Sequence, residues 1–219
     1  MGPTQSGRRY FVTGTDTGVG KTFVSAALAR RARELDPSGR VFAFKPIETG
    51  CGPDSGEDQE TLAKAAGDWQ RGPLRGLYRF RQPAAPLVAA TAESRTIDTG
   101  SIVETFRQNA EGTTLAIVEG AGGWRVPITT SVDMGGLAVA LQLPVIVVGR
   151  ATLGTINHCL LTLEAVERDG CSVAALVLSQ RPEDDPAFAS SNATVIARRW
   201  PGCIIVLGSD PSTIDELLR

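Results

Sequence analysis

The chain has 219 residues, 42% of them hydrophobic, and a formal net charge of -2. That length suffices for one well-filled core, and the near-balanced charge gives no reason to expect a nucleic-acid surface. No run approaches the roughly 18 apolar residues needed to cross a bilayer, and no secretory signal precedes the first strand. Cys51, Cys159, Cys171 and Cys203 show no CxxC spacing, which predicts a reduced cytosolic protein without a metal–thiolate site.

Residues 1–8 read as a flexible end. Residues 1–6 formally fit a myristoylation pattern, but the stretch is short and contains a proline, so it is taken as chance. A first strand is predicted over 9–13, followed by "GTDTGVGKT" at 14–22 and a helix over 21–35. In that loop Gly18 and Gly20 let backbone N–H groups close on phosphate oxygens, and the helix points its positive end at the same anion. Lys21 is expected to reach the β- and γ-phosphates and the Thr22 hydroxyl to ligate Mg2+. The strict pattern G-x-x-x-x-G-K-[ST] is missed by one position, because Thr15 holds the first glycine's place and Gly14 lies one residue earlier. The basic cluster Arg30-Arg31-Ala32-Arg33 sits where this helix faces water.

A second strand, predicted over 41–45, ends in Lys45, and Pro46 stops its ladder. A lysine there puts a second positive charge near a transferred phosphoryl group or an anionic substrate. It is expected to act on reacting groups rather than on folding, so that its loss barely moves the melting temperature. After an irregular loop at 50–56, a helix predicted over 58–66 starts at Asp58, where capping alone explains the carboxylate. Further helices are predicted over 101–110, 134–141, 155–168 and 187–199, and strands over 115–119, 144–149, 172–178 and 203–207. The third strand ends in Glu119 before a glycine-rich turn, at the edge where parallel sheets bind ligands, so Glu119 is a candidate for Mg2+. After the strand over 144–149 comes "LGTINH", where Thr155 or Asn157 could cap the next helix and its free N–H groups suit a carboxylate. His158, the only histidine, is read as packing or hydrogen-bonding rather than catalysing. The alternation predicts one domain over 9–219: an α/β, P-loop NTPase-like fold with a mostly parallel sheet and helices on both faces.

Taken in order, G-T-D-T-G-V-G-K-T, K-P-I-E-T-G, V-E-G-A-G-G and L-G-T-I-N-H closely resemble the dethiobiotin synthetases of the biotin pathway, from about residue 9 to 180. The resemblance implies a dimeric, magnesium-dependent ligase that joins CO2 to 7,8-diaminononanoate and closes a cyclic urea as ATP goes to ADP and phosphate. It implies that Gly18, Val19, Gly20, Lys21, Thr22 and Phe23 bind the triphosphate, and that Thr22, Asp58 and Glu119 surround Mg2+. It makes Lys45 the active-site lysine, Thr49 a substrate-contacting hydroxyl, and Glu119, Gly120, Ala121 and Gly122 a nucleotide-contacting turn. It places Gly154 and Asn157 at a dimer interface, where they would grip the substrate carboxylate of the other subunit, so that two subunits are expected to share each site.

Two departures fall on the base-binding side. Ser179-Gln180 stands where the family places an asparagine that reads adenine, which predicts relaxed base choice. The stretch after Pro211 is shorter than the resemblance leads one to expect. The rival reading is a nucleotide switch of the chromosome-partition or division-site type. Such switches carry a second lysine where this chain has Asp16, and often a basic amphipathic tail for a membrane, which this chain lacks.

Overall fold

The computed structural model describes residues 7–52 and 56–219. The flexible-end reading for 1–8 and the tip of the irregular loop, 53–55, therefore lie largely outside the described residues. Six strands form one parallel sheet: β1 (Arg8–Gly14), β2 (Val41–Phe44), β5 (Leu115–Gly123), β6 (Val145–Arg150), β7 (Val173–Ser179) and β8 (Ile204–Leu207), in the order β2-β5-β1-β6-β7-β8. Two shorter strands, β3 (Ile47–Thr49) and β4 (Tyr78–Phe80), pair in parallel beside it, with Thr49 opposite Phe80.

Among the described residues, seven α-helices connect the strands: α1 (Lys21–Leu35), α2 (Glu57–Ala65), α3 (Pro86–Ala92), α4 (Thr99–Ala110), α5 (Met134–Leu141), α6 (Thr155–Arg168) and α7 (Pro186–Ala197). Side chains alternate across the pleat, so each strand feeds two cores. Tyr10 and Val12 of β1 pack with Val24 and Leu28 of α1, Leu62 of α2 and Leu217 on one face. Phe11 joins Phe42, Phe44, Ile102, Phe106, Leu137, Leu163 and Ile196 on the other. The predicted α/β fold with helices on both faces is the one observed. The chain after β8 forms a 3-10 turn, Pro211–Leu218, held by the Tyr10 hydroxyl donating to Leu217 O at 2.8 Å and by Arg31 pairing with Asp215 at 2.7 Å. No helix among the described residues is long and apolar enough to cross a membrane.

Several local readings need correction. β2 ends at Phe44, so Lys45 is the first residue past the strand and not its last. β5 runs on through the expected glycine turn to Gly123, with a register shift against β1 between Val12 and Gly14. The N-cap of α6 is Gly154, in the left-handed conformation at φ 90°, and neither Thr155 nor Asn157 caps it. The Thr155 hydroxyl instead sits 3.4 Å from Cys159 Sγ within the helix.

Candidate active site

The carboxyl ends of β1, β2 and β5 converge on one cavity of about 660 Å3. Register places them together: Val12 lies opposite Glu119, and Phe44 opposite Val118, so the segments leaving the three strands open on the same edge. The lining includes Gly18, Gly20, Lys21, Thr22, Lys45, Thr49 and Asp58. One wall is apolar, built from Ile47, Val126 and the 83–86 segment.

Lys21 folds back over its own loop and donates to Asp16 O at 2.9 Å. This explains the displaced glycine: a Cβ on Gly14 would stand 2.8 Å from Val19 Cγ2 and 3.0 Å from Lys21 Nζ. Gly20 adopts φ 99°, which favours glycine, and a Cβ there would run into the Ser179 hydroxyl. Burial lowers the Lys21 pKa to about 8, nearby Lys45 adds to the fall, and Glu119, Asp58 and Asp16 oppose it.

Lys45 is 3% exposed and Glu119 wholly buried. Lys45 Nζ lies 2.7 Å from Glu119 Oε1 and 3.3 Å from Asp58 Oδ2, and donates to Gly120 O at 3.0 Å. Burial works against its charge, but the two carboxylates more than offset that and the Lys45 pKa is raised. The lysine expected to leave folding untouched is thus one member of a buried ion pair, which argues for an effect on stability as well.

Thr22 Oγ1 donates to the same Glu119 Oε1 at 2.8 Å, while Glu119 Oε2 is buried with no hydrogen-bond partner. An orphaned carboxylate oxygen beside a hydroxyl and a second carboxylate fits a divalent cation. Among the described residues no group of three or more His, Cys, Asp or Glu side chains is placed so that it could by itself hold a metal ion. The set is one that suits Mg2+, which takes one or two carboxylates and completes its shell with phosphate oxygens and water. Asp58, read from sequence as a helix cap, sits inside the first turn of α2 instead; the N-cap is Gly56, which has no side chain to offer.

A second hollow of about 770 Å3 lies across Gly20 and Phe23, lined by Ser179, Gln180, Asp184, Pro186, Gly208 and Ser209 among others. Phe23 is 43% exposed and borders both spaces. Ala121 and Gly122 line the first cavity, whereas Val19 is buried behind the loop. Gly154, Asn157 and His158 are exposed at the start of α6 and line neither space, and Leu153 beside them is 90% exposed. Sequence reasoning passed over Glu48 and Gln59, both buried at this site. Glu48 was visible in K-P-I-E-T-G, but nothing local signals its contacts.

A family model described as an AAA domain matches residues 8–213. Among curated proteins, the ATP-dependent dethiobiotin synthetase BioD of Anaeromyxobacter dehalogenans strain 2CP-C is 46% identical over 196 residues, covering 87% of this chain and 85% of the relative. The chain belongs to the dethiobiotin synthetase family. It is accordingly an enzyme, a ligase of biotin biosynthesis. The dethiobiotin synthetase BioD of Anaeromyxobacter sp. strain Fw109-5 is 42% identical over 193 residues, with the same shares covered. Solved structures extend the likeness to the P-loop NTPases at the level of fold. The MinD cell division protein of Aquifex aeolicus matches with a TM-score of 0.55 at 14% identity, over 97% of this chain and 86% of that one. Chloroplast FtsY from Physcomitrella patens gives a TM-score of 0.55 at 14% identity, over 98% and 66%. The likeness of this cell division protein to this dethiobiotin synthetase family member lies in the fold alone.

Proposed function

We propose that the chain closes the cyclic urea of dethiobiotin from 7,8-diaminononanoate, CO2 and ATP, with Mg2+ as cofactor. The observation that carries this reading is the buried Lys45 ammonium held between Glu119 and Asp58, across one cavity from the Lys21 loop. A switch needs a phosphate loop with its own lysines; it has no need of a buried lysine from a neighbouring strand end facing a cavity with an apolar wall.

In the chemistry this supports, one substrate amine takes up CO2 to give a carbamate and a proton. Its oxygen is a poor leaving group. Attack of that oxygen on the γ-phosphorus breaks the bond to ADP and leaves a carbamic–phosphoric anhydride. The neighbouring amine then attacks the carbonyl carbon, loses its proton and expels phosphate. The loop N–H groups at 18–22 hold the triphosphate, and the two lysines offset charge on the phosphoryl oxygens as it is transferred. Thr22, Asp58 and Glu119 would hold Mg2+, which when bound neutralises charge shared by the β- and γ-phosphates. Thr49 and the 83–86 wall suit a short polar head on an apolar chain, and fixing both amines against the phosphate supplies much of the remaining rate through proximity.

Ser179 packs under Gly20 and presents no amide to the second hollow, and the Gln180 amide that lines it donates to Asp184 O at 3.3 Å, which supports weaker discrimination among bases. Gly154 and Asn157 serve a second copy of the chain, and the exposed Leu153 suits burial in such a homodimer. Four free cysteines and ATP as co-substrate support a cytoplasmic, reduced setting with small molecules as partners.

Phosphate release from ATP tests the reading. It is expected to require both diaminononanoate and bicarbonate, with dethiobiotin appearing in equal amount by mass spectrometry. Release that ignores either one points instead to a nucleotide switch.

A further inference from the structure

The first N–H groups of a helix have no partners inside it and must find acceptors elsewhere. For α2 the acceptor comes from β3. Asp58 N donates to Glu48 Oε1 at 3.1 Å, and Gln59 N donates to Glu48 Oε2 at 2.9 Å. These are the N2 and N3 positions, which a cap residue next in sequence would ordinarily serve. Here Gly56 occupies the N-cap, and any side chain on it would collide with the Glu48 carboxylate. Glu48 is 7% exposed, and both its oxygens are committed to this one helix end.

The turn so fixed carries two groups that reach back to the reacting centre. Asp58 Oδ2 lies 3.3 Å from Lys45 Nζ. Gln59, fully buried, donates its amide to Lys45 O at 3.1 Å and Tyr78 O at 3.4 Å. An ordinary Ser or Asp cap would satisfy the helix equally well, yet leave it untied to β3. Capping from Glu48 locks α2 to the strand that also carries Thr49 into the cavity. The negative charge also suits the positive end of the helix.

We propose that Glu48 is a positioning residue of the active site, whose carboxylate holds the first turn of α2 and thereby sets Asp58 against Lys45 and the Mg2+ site. This rests on the reading of Asp58 as a group that helps hold Mg2+. It does not depend on which substrates the enzyme joins, because it is tested by binding.

The test uses the full chain as wild type, Glu48→Ala, Glu48→Gln, Asp58→Ala and the Glu48→Ala/Asp58→Ala double variant. Calorimetry gives the Kd of a non-hydrolysable ATP analogue with Mg2+ and, separately, with EDTA; melting temperatures are recorded for each. Loss of a cap should weaken Mg2+-dependent binding by about fivefold or more in Glu48→Ala. Metal-free binding should change less than about twofold, since the loop at 14–22 is untouched. Glu48→Gln keeps one acceptor oxygen and should fall between, which preserves the test if Glu48→Ala does not fold. In the Asp58→Ala background the Glu48 substitution should add almost nothing, because coupled residues are not additive. Equal losses with and without Mg2+, losses that add in the double variant, or no loss at all would each overturn the proposal. A chain that passes this test yet forms no dethiobiotin would leave Glu48 in its role and remove only the assigned reaction.

Discussion

Lys45→Ala should lower dethiobiotin formation by at least about tenfold and lower the melting temperature as well. One lost electrostatic stabiliser of a transition state costs a few kcal/mol, or about 10- to 1,000-fold in rate. Stability suffers because Glu119 stays wholly buried after its nearest cation, 2.7 Å away, has gone. Breaking a buried pair by removing one partner costs about 3–5 kcal/mol, which for a chain of this size is a drop of roughly 6–20 °C. Asp58, more open to solvent, is left without the same penalty. Steady-state assays well below both melting temperatures separate the two effects. Near-normal turnover in folded protein would end the assignment of Lys45 to the chemistry. An unchanged melting temperature would mean that Glu119 finds another partner.

Glu119→Gln is expected to be more severe for catalysis, by about a hundredfold or more in turnover. The amide keeps the carboxylate's shape and still accepts from Thr22, so the loop should stay in place. What disappears is the charge that answers Lys45 and the unpartnered oxygen, Oε2, offered to a cation. The half-saturating Mg2+ concentration should therefore rise by at least about tenfold, whereas metal-free nucleotide binding changes little. The measurement is phosphate release across a Mg2+ titration. An unaltered Mg2+ dependence would remove Glu119 from the cation site.

Much of this was readable from residues. The strands over 144–149 and 172–178 stood out because strands covered by helices on both faces read as near-continuous runs of Val, Ile, Leu and Ala. The loop at 14–22 announced itself through glycines and a Gly-Lys-Thr, between a strand and a helix, in a spacing close to that of phosphate-binding loops. β3, β4 and α3 escaped notice. Three-residue strands are too short to show a period, and "PLVAATA" follows a proline-rich stretch that reads as loop. Local rules also misassigned the cap of α2. They look within a few residues, and the carboxylate that does the capping comes from Glu48, on another strand. Burial of Lys45 was invisible for a related reason. A lysine at a strand end is solvated in most folds, and only the packing of β3, α2 and β5 around it closes off the water.

The most direct measurement traces oxygen. If the site spends ATP on a carbamate, an oxygen that entered with CO2 must leave on phosphate, because ring closure breaks the bond between that oxygen and the carbonyl carbon. With 18O-labelled bicarbonate, sampled over times short against exchange with water, mass spectrometry of the released phosphate should find one 18O per dethiobiotin formed. Dethiobiotin formed while the phosphate carries no label would contradict the account, for the ring would then have closed without phosphorylation of the carbamate.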